Sequence, residues 1–541
     1  MERLLMLAEF QRALQAKAPQ RWKHLNFSEP TSTAAPTMSA DLWRREFDSE
    51  FCARPPTDIN DAVTQAAINN LSQTHPEESA KRMLSPQQMT IFCTLLIITG
   101  VIASQWPLST LIVLNAAATI YYLCAIVFRV WLVALGLTAE VHAPTPARAA
   151  NRTLPGITIL LPLHRDAKAL PMLANAINTL DYPDYKKDVK LLLEECDRDT
   201  IAEAYRLRLD KKFHVIIVPK QAPQTKPKAC NVGLELARGE LIVIYDAEDS
   251  PEPDQLRRAA AAFAGRDENL ACVQARLNYY NRKDNWLTRL FTLEYSLWFD
   301  WLLPALQRMG APIPLGGTSN FFKTNVLRAV GGWDPYNVTE DADLGLRLSR
   351  LGYRVEVIAS TTFEEANCKA SNWVRQRSRW LKGYLQTWLV HMRHPQRIIA
   401  TTGWRGFMAV QLFVAGNLFS ATINPLMWAV FIVWLAWRPP IFEQLFPAPL
   451  FQLNMFSLVL GNLFFVFMMM IGPLKRGWGE LSIYGLTAPA YWLLTSFAAY
   501  KALWQAVWRP HYWEKTEHVI SDAARQRHAE ALRTYFTNGQ N

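Results

Sequence analysis

Apolar residues along this chain follow two regimes, long unbroken runs toward both flanks and short bursts in the middle. Met89–Trp106, Leu108–Phe128, Gly406–Trp437 and Leu450–Leu474 contain no Asp, Glu, Lys or Arg. Each is near or beyond the ~20 residues an α-helix needs to cross hydrocarbon. Core helices of soluble proteins seldom stay uncharged for so long, so the four runs predict membrane helices. The first two form a hairpin around Trp106-Pro107. A further run, Leu481–Trp508, holds Pro489 and Lys501. Basic residues flank it on both sides (Lys475/Arg476 and Arg509), so either it is re-entrant or the count upstream is off. In the middle, Ile157–Leu161, Val189–Leu193, Phe213–Val218 and Leu241–Tyr245 are short β-rich runs of the kind buried in parallel sheets. Helical stretches such as Ala167–Leu180 and Ala229–Arg238 separate them, predicting a doubly wound α/β sheet.

This reading divides the chain at 1–85, 86–137, 150–370, 371–400, 404–508 and 509–541. These are a polar N-terminal region with a possible regulatory role, a membrane hairpin, an α/β domain, interfacial amphipathic helices, a C-terminal membrane region and a tail. The net charge of +10 admits nucleic acid, but basic cytosolic faces of a membrane protein account for it and no stretch resembles a nucleic-acid module. Met1–Lys23 has no run shaped like a cleavable signal, which predicts a cytosolic N-terminus. Arg129, Arg148 and Arg152 after the second run put the α/β domain on the cytosolic side as well. Seven cysteines without CxxC spacing indicate neither a disulfide framework nor a zinc site.

In doubly wound sheets ligands bind beyond the carboxyl ends of the strands, and acidic residues gather there: Glu194, Glu195 and Asp197, then Asp246, Glu248 and Asp249. Carboxylates one residue apart in an extended segment suit a hard divalent cation that bridges a diphosphate. A lone Asp-x-acid is nonetheless most often an ordinary turn. Thr339-Glu340-Asp341-Ala342-Asp343 precedes a helix-like stretch, where acids commonly cap, yet a poised carboxylate there suits proton removal from a hydroxyl. Gln376-Arg377-Ser378-Arg379-Trp380 lies in the amphipathic stretch Trp373–Trp388; the indole offers a face to a sugar, and Gln376 and Arg379 offer donors to phosphate. Thr225-Lys226-Pro227-Lys228-Ala229 puts lysines at a helix start, and Pro314–Asn320 is a tight turn whose glycines let backbone approach a ligand.

The ordered set, an acidic cluster, Asp-x-acid, Thr-Glu-Asp and Gln-x-x-Arg-Trp between membrane helices, resembles glycosyltransferase family 2 in its processive membrane-bound branch. That branch includes cellulose, curdlan and hyaluronan synthases. Thr225–Leu234, Tyr245–Leu256, Pro314–Phe321 and Trp513–His518 look closest to the phage-N4-adsorption-type bacterial inner-membrane transferases. The resemblance implies a GT-A-type, Rossmann-like cytosolic domain inserted between transmembrane helices of a bacterial inner-membrane protein. It implies a UDP-sugar donor, a growing β-linked glycan as acceptor, and Mg²⁺ or Mn²⁺ as cofactor. Asp341 would be the general base. Glu194 or Glu195, with Lys228, Asp246, Gln376 and Arg379, would bind the donor. Trp380, Gly317, Thr318 and Glu340 would meet the acceptor, and Asp246, Glu248 and Asp249 the metal. Glu248 stands where the family usually has Asp, so Glu248 and Asp249 both stay open as the second ligand. Single-sugar transfer to a polyprenyl-phosphate or glycolipid is one rival, and a catalytically silent receptor or export component is another.

Overall fold

A computed structural model of the chain describes residues 57–59, 61–139, 141, 153–264, 267–517, 521–527 and 530. Most of the 1–85 region, with its expected regulatory role, and His518 lie outside the described residues. The strands are β1 Thr57–Asp58, β2 Ile157–Leu163, β3 Lys187–Glu194, β4 His214–Val218, β5 Leu241–Ile244, β6 Ser250–Pro251, β7 Leu270–Tyr279, β8 Asn320–Lys323 and β9 Arg354–Glu364. They form one sheet in the order β1-β4-β3-β2-β5-β8-β7-β9-β6. The half from β1 to β5 is parallel, built on the four apolar bursts anticipated from sequence. Beyond β5 the sheet turns mixed: β8 runs antiparallel to β5 and β7, and β9 is parallel to β7. Ile159, Leu160, Leu161, Leu192 and Val243 are fully buried, as a parallel sheet covered on both faces requires.

Ten helices matter for the site: α1 Asp61–Thr74, α2 Pro86–Gln105, α3 Pro107–Leu137, α4 Lys226–Glu235, α5 Trp286–Leu297, α6 Glu340–Arg350, α7 Ala370–His391, α8 Pro395–Trp437, α9 Ala448–Arg476 and α10 Ala488–Trp508. Among the described residues α2, α3, α8 and α9 are long and apolar enough to cross a membrane. Ser85 opens α2 with a capping box: its Oγ accepts from Gln88 N and Gln88 Oε1 accepts from Ser85 N, with Pro86 in the first turn.

α10 answers the question left by the last apolar run. At its start Trp286 Nε1 donates to Thr487 Oγ1 (2.8 Å). Past its end Lys382 Nζ donates to Tyr512 O (2.7 Å) and Gln386 Nε2 to Pro510 O (2.9 Å). Trp286 belongs to α5 and the other two donors to α7, helices packed on the α/β domain, so α10 returns to that domain at both ends. The flanking basic residues are used locally: Arg476 pairs with buried Asp300 (2.6 Å) and Lys475 Nζ donates to Gly136 O (2.7 Å).

Candidate active site

α4 begins at Lys226, and its first turn separates two lysines. Residues two apart lie about 200° around a helix, so they face opposite ways. Lys228 turns inward and, fully buried, pairs with Glu194 at 3.0 Å. Lys226 turns outward, pairs with Asp246 Oδ1 at 2.5 Å and donates to Gly317 O at 2.6 Å. Burial works against the Lys226 ammonium, but Asp246 and Glu340 outweigh it and push its pKa up.

Gly317 is the point of convergence. A Cβ added there would meet Asp341 Oδ2 at 3.3 Å, Asp246 Oδ2 at 3.9 Å and Lys226 Nζ at 3.9 Å. The turn Pro314–Asn320 therefore brings backbone between the Asp-x-acid loop, the Thr-Glu-Asp turn and the lysine, with room at Gly317 that a Cβ would leave tight against Asp341. Asp249 organises the first of these from below: its Oδ2 accepts from Asp246 N (2.7 Å) and is in contact with the Thr318 hydroxyl, whose one proton is shared between Asp249 and Ile244 O. Burial, then the charges of Asp246 and Glu248, hold the Asp249 carboxyl well above the usual carboxylate range.

α6 places its acids in the first turn, where the helix dipole favours them. Their tasks divide. Asp343 is buried between Arg347 (2.9 Å) and His391 (3.1 Å) and docks α6 on α7. Asp341 faces the cavity, its Oδ1 accepting from Ala342 N (2.7 Å); burial raises its pKa, opposed by that bond and by Lys226 and Arg379. Burial and then Asp341 lift Glu340 to about 8.

α7 carries the Gln-x-x-Arg-Trp residues. Gln376 Oε1 accepts from Asn367 Nδ2 (2.9 Å), and the Arg379 guanidinium lies 4.4 Å from the ring centre of Trp513 in the tail. The intervening Arg377 turns away to Glu294 (2.5 Å) and stacks 4.9 Å from Trp380, fixing that indole beside Tyr295 and Phe291.

These groups line one cavity of about 820 Å³, which continues between α3, α8 and α9 past Arg129, Asn417, Asn424 and Asn462. Of the residues anticipated from sequence, Glu194, Asp246, Glu248, Gly317, Thr318, Glu340, Asp341, Gln376, Arg379 and Trp380 line it. Glu195, Lys228 and Asp249 do not: Glu195 accepts from Lys220 N on an exposed loop, and the other two are buried beneath the site. Several lining groups carried no site assignment from sequence. Lys226 belongs to the lysine pair expected near a diphosphate, of which only Lys228 was assigned to the donor, and Glu364 sits in a polar strand with no motif. Tail residues Trp513, Lys515 and Thr516 were legible only as a resemblance; Lys515 bonds Asp166 across the rim (3.0 Å).

Among the described residues no three His, Cys, Asp or Glu groups form a preformed metal cage. Mg²⁺ needs none, since it is commonly held by one or two carboxylates plus substrate phosphates and water, and Asp246 and Glu248 both face the cavity. The donor set fits such an ion.

A family profile described as "Glycosyl transferase family group 2" matches residues 241–473. The chain is 26% identical over 240 residues to the probable glycosyltransferase YdaM of Bacillus subtilis, covering 44% of this chain and 57% of that protein. It is 28% identical over 247 residues to the beta-monoglucosyldiacylglycerol synthase of Trichormus variabilis, covering 44% and 50%. The chain thus spans about half the length of the curated relatives it matches. Among solved structures, the mannosyltransferase PcManGT from Pyrobaculum calidifontis, in complex with GDP-Man and Mn²⁺, superposes with a TM-score of 0.49 at 19% identity, covering 73% of this chain and 99% of that one. The acidic loop, the Thr-Glu-Asp turn and the Gln-x-x-Arg-Trp helix gather on one mixed sheet, and residues 241–473, which hold all three, match the glycosyltransferase family 2 profile.

Proposed function

We propose that the chain catalyses inverting transfer of a sugar from a UDP-sugar to a growing β-linked polysaccharide, coupled to export across a bacterial inner membrane, with the α/β domain cytosolic. The observation that carries the transfer reading is the meeting of Asp341, Asp246 and Lys226 around Gly317. Asp341 takes the proton of the acceptor hydroxyl as the new bond forms, and its burial-raised pKa brings it nearer neutrality, where a general base works best. Burial and the neighbouring Asp341 lift Glu340 to about 8, so at pH 7 it stands beside Asp341 mostly neutral. Lys226 and Arg379 supply cations for the leaving diphosphate. A divalent ion held by Asp246 and Glu248 would neutralise further charge on that group. Trp380, braced by Arg377, offers its face to the acceptor sugar. One base and one displacement suffice for inversion. Polymerisation is supported by the Gln-x-x-Arg-Trp residues lining the cavity and by its continuation between the apolar helices. That same continuation also favours a second reading, transfer of one sugar to a lipid acceptor drawn from the membrane.

The test is nucleotide release from purified protein in lipid nanodiscs, offered a panel of nucleotide-sugars with Mg²⁺ or Mn²⁺, beside Asp341→Asn. Turnover of one UDP-sugar, lost at least 10²-fold in the variant and giving high-molecular-weight product, is expected. Turnover with only short lipid-linked product selects the second reading, and absence of turnover with every donor sinks both.

A further inference from the structure

The membrane-side arm of the cavity holds one group that the transfer chemistry leaves unused. Arg129 of α3 lines it, with Nη2 donating to Asn417 Oδ1 at 2.6 Å and the guanidinium 5.1 Å from the ring centre of Phe465. No carboxylate among the described residues is paired with Arg129, whereas Arg377, which lines the same cavity, has Glu294. The surrounding lining is polar but neutral. Asn424 and Asn462 bond each other (3.0 and 3.3 Å), and Ser420 keeps a buried hydroxyl without a partner. A cation kept in such a place is costly unless an anion visits it.

Its height along α3 says which anion. α2, with 20 residues, is about 30 Å long and matches the hydrocarbon thickness. α3, with 31 residues, is about 46 Å long, and the two helices join at Trp106-Pro107. The surplus of α3 therefore falls at its other end, where Gly136 meets Trp301 of the α/β domain. Arg129, roughly 12 Å back from Leu137, comes level with the start of α2, close behind Lys81 and Arg82. That is the level of lipid phosphates, and the cavity joins it to Trp380 and Asp341.

We propose that Arg129 seats the phosphate of a lipid-linked acceptor, a phosphodiester whose sugar or hydroxyl end extends up the cavity to Asp341. The proposal rests on the glycosyl-transfer reading, and holds whether one sugar or many are then added. The planar guanidinium suits two parallel bonds to phosphate, and Asn417 keeps it oriented.

The test compares binding of farnesyl phosphate, farnesol and inorganic phosphate to the full chain in nanodiscs, with UDP binding measured on the same preparations. Wild-type protein is expected to bind farnesyl phosphate at least about tenfold more tightly than farnesol. Arg129→Lys should keep much of that ratio and Arg129→Gln should bring it to about one. Equal binding of the phosphate and the alcohol by wild-type protein overturns the proposal, and this arm decides even if the glutamine variant does not fold. A ratio unchanged in Arg129→Gln also overturns it. Competition by inorganic phosphate as strong as by farnesyl phosphate would reassign the site to free phosphate and overturn the lipid assignment. Loss of UDP binding by wild-type protein would instead sink the transfer reading on its own.

Discussion

Gly383 lets α7 touch the turn that presents Asp341. A Cβ there would lie 2.8 Å from Thr339 Cβ, and closer still to Thr339 Oγ1 and Cγ2. The turn has little freedom to yield, because Thr339 N donates to Asn337 Oδ1 (3.0 Å) and Val338 N to Gln386 Oε1 (3.1 Å). Ordinary contact begins at 3.4 Å and the nearest Thr339 atoms, Oγ1 and Cγ2, would lie about 1 Å inside that limit, so in Gly383→Ala the turn must retreat by about 1 Å. Stability is a poor readout of this. Overpacking costs about 1–3 kcal/mol, but replacing a helix-interior glycine with alanine returns about 1 kcal/mol, leaving a small net loss. Activity is the sensitive measure, since a misplacement of about 1 Å, the size of this retreat, costs roughly 10²-fold in rate. The assay is nucleotide release at saturating donor, with the donor KM determined alongside. We expect kcat to carry the loss, the donor KM to stay within about twofold, and the thermal midpoint to move by only a few degrees. In Gly383→Ala/Thr339→Ala the Oγ1 and Cγ2 contacts go and the 2.8 Å Cβ contact stays, so the retreat falls to about 0.6 Å and part of the rate should return. Full kcat in Gly383→Ala, or a double variant no better than the single one, would refute the claim that this contact sets the position of Asp341.

Two further outcomes follow from buried polar groups. Glu340 has a folded pKa of about 8 against an ordinary 4.5, so its contribution to stability is intact below pH 4.5 and is lost as pH rises toward 8. In Glu340→Gln the neutral form is permanent, so its thermal midpoint minus that of wild-type protein should grow across pH 4.5–8 and level off above; a difference constant with pH would contradict this. Asn231 is buried, donates to Ala67 O (2.9 Å) and Trp333 O (2.8 Å), and accepts from Trp333 N (3.0 Å), tying α1 to α4. Asn231→Ala should destabilise by about 3 kcal/mol and speed proteolysis within residues 61–85; an unchanged unfolding midpoint would show that the amide links carry no weight.

Sequence made the parallel half of the sheet legible because its strands are uninterrupted apolar bursts. The mixed half was hidden because its strands bury polar side chains that satisfy one another. Gln255 bonds Ser360 and Thr362 of β9, and Asn278 of β7 bonds Ser296 of α5. Those residues break the apolar pattern as surely as a surface would. Within the site, motif order located the loops, but which side chain of each loop meets the cavity is a matter of helix phase and local bonds. Lys226 and Lys228 differ by about 200° of rotation, and Asp246 and Asp249 by which of them the Thr318 hydroxyl holds. Arg129 was legible only as a topological charge, since nothing in one sequence shows that its helix lines a cavity.

The helix α7 makes the membrane region and the acidic turn a single mechanical unit. Gln386 donates to Pro510 O just after α10 and accepts from Val338 N just before Asp341. Arg377 and Tyr491 of α10 share the carboxylate of Glu294, so the helix that presents Trp380 is gripped from the membrane side as well. His391 closes the far end on Asp343, two residues beyond Asp341. A displacement of α10 along its axis therefore reaches Trp380 through Arg377 and Asp341 through Gln386 together. Arg377, which braces Trp380, and Gln386, which braces the turn before Asp341, belong to one helix, so the groups proposed for the acceptor sugar and for proton removal are held by a common element. Arg377, the arginine inside the Gln-x-x-Arg-Trp stretch, thus serves the site through what it holds, since it lines the cavity and braces Trp380 against Glu294.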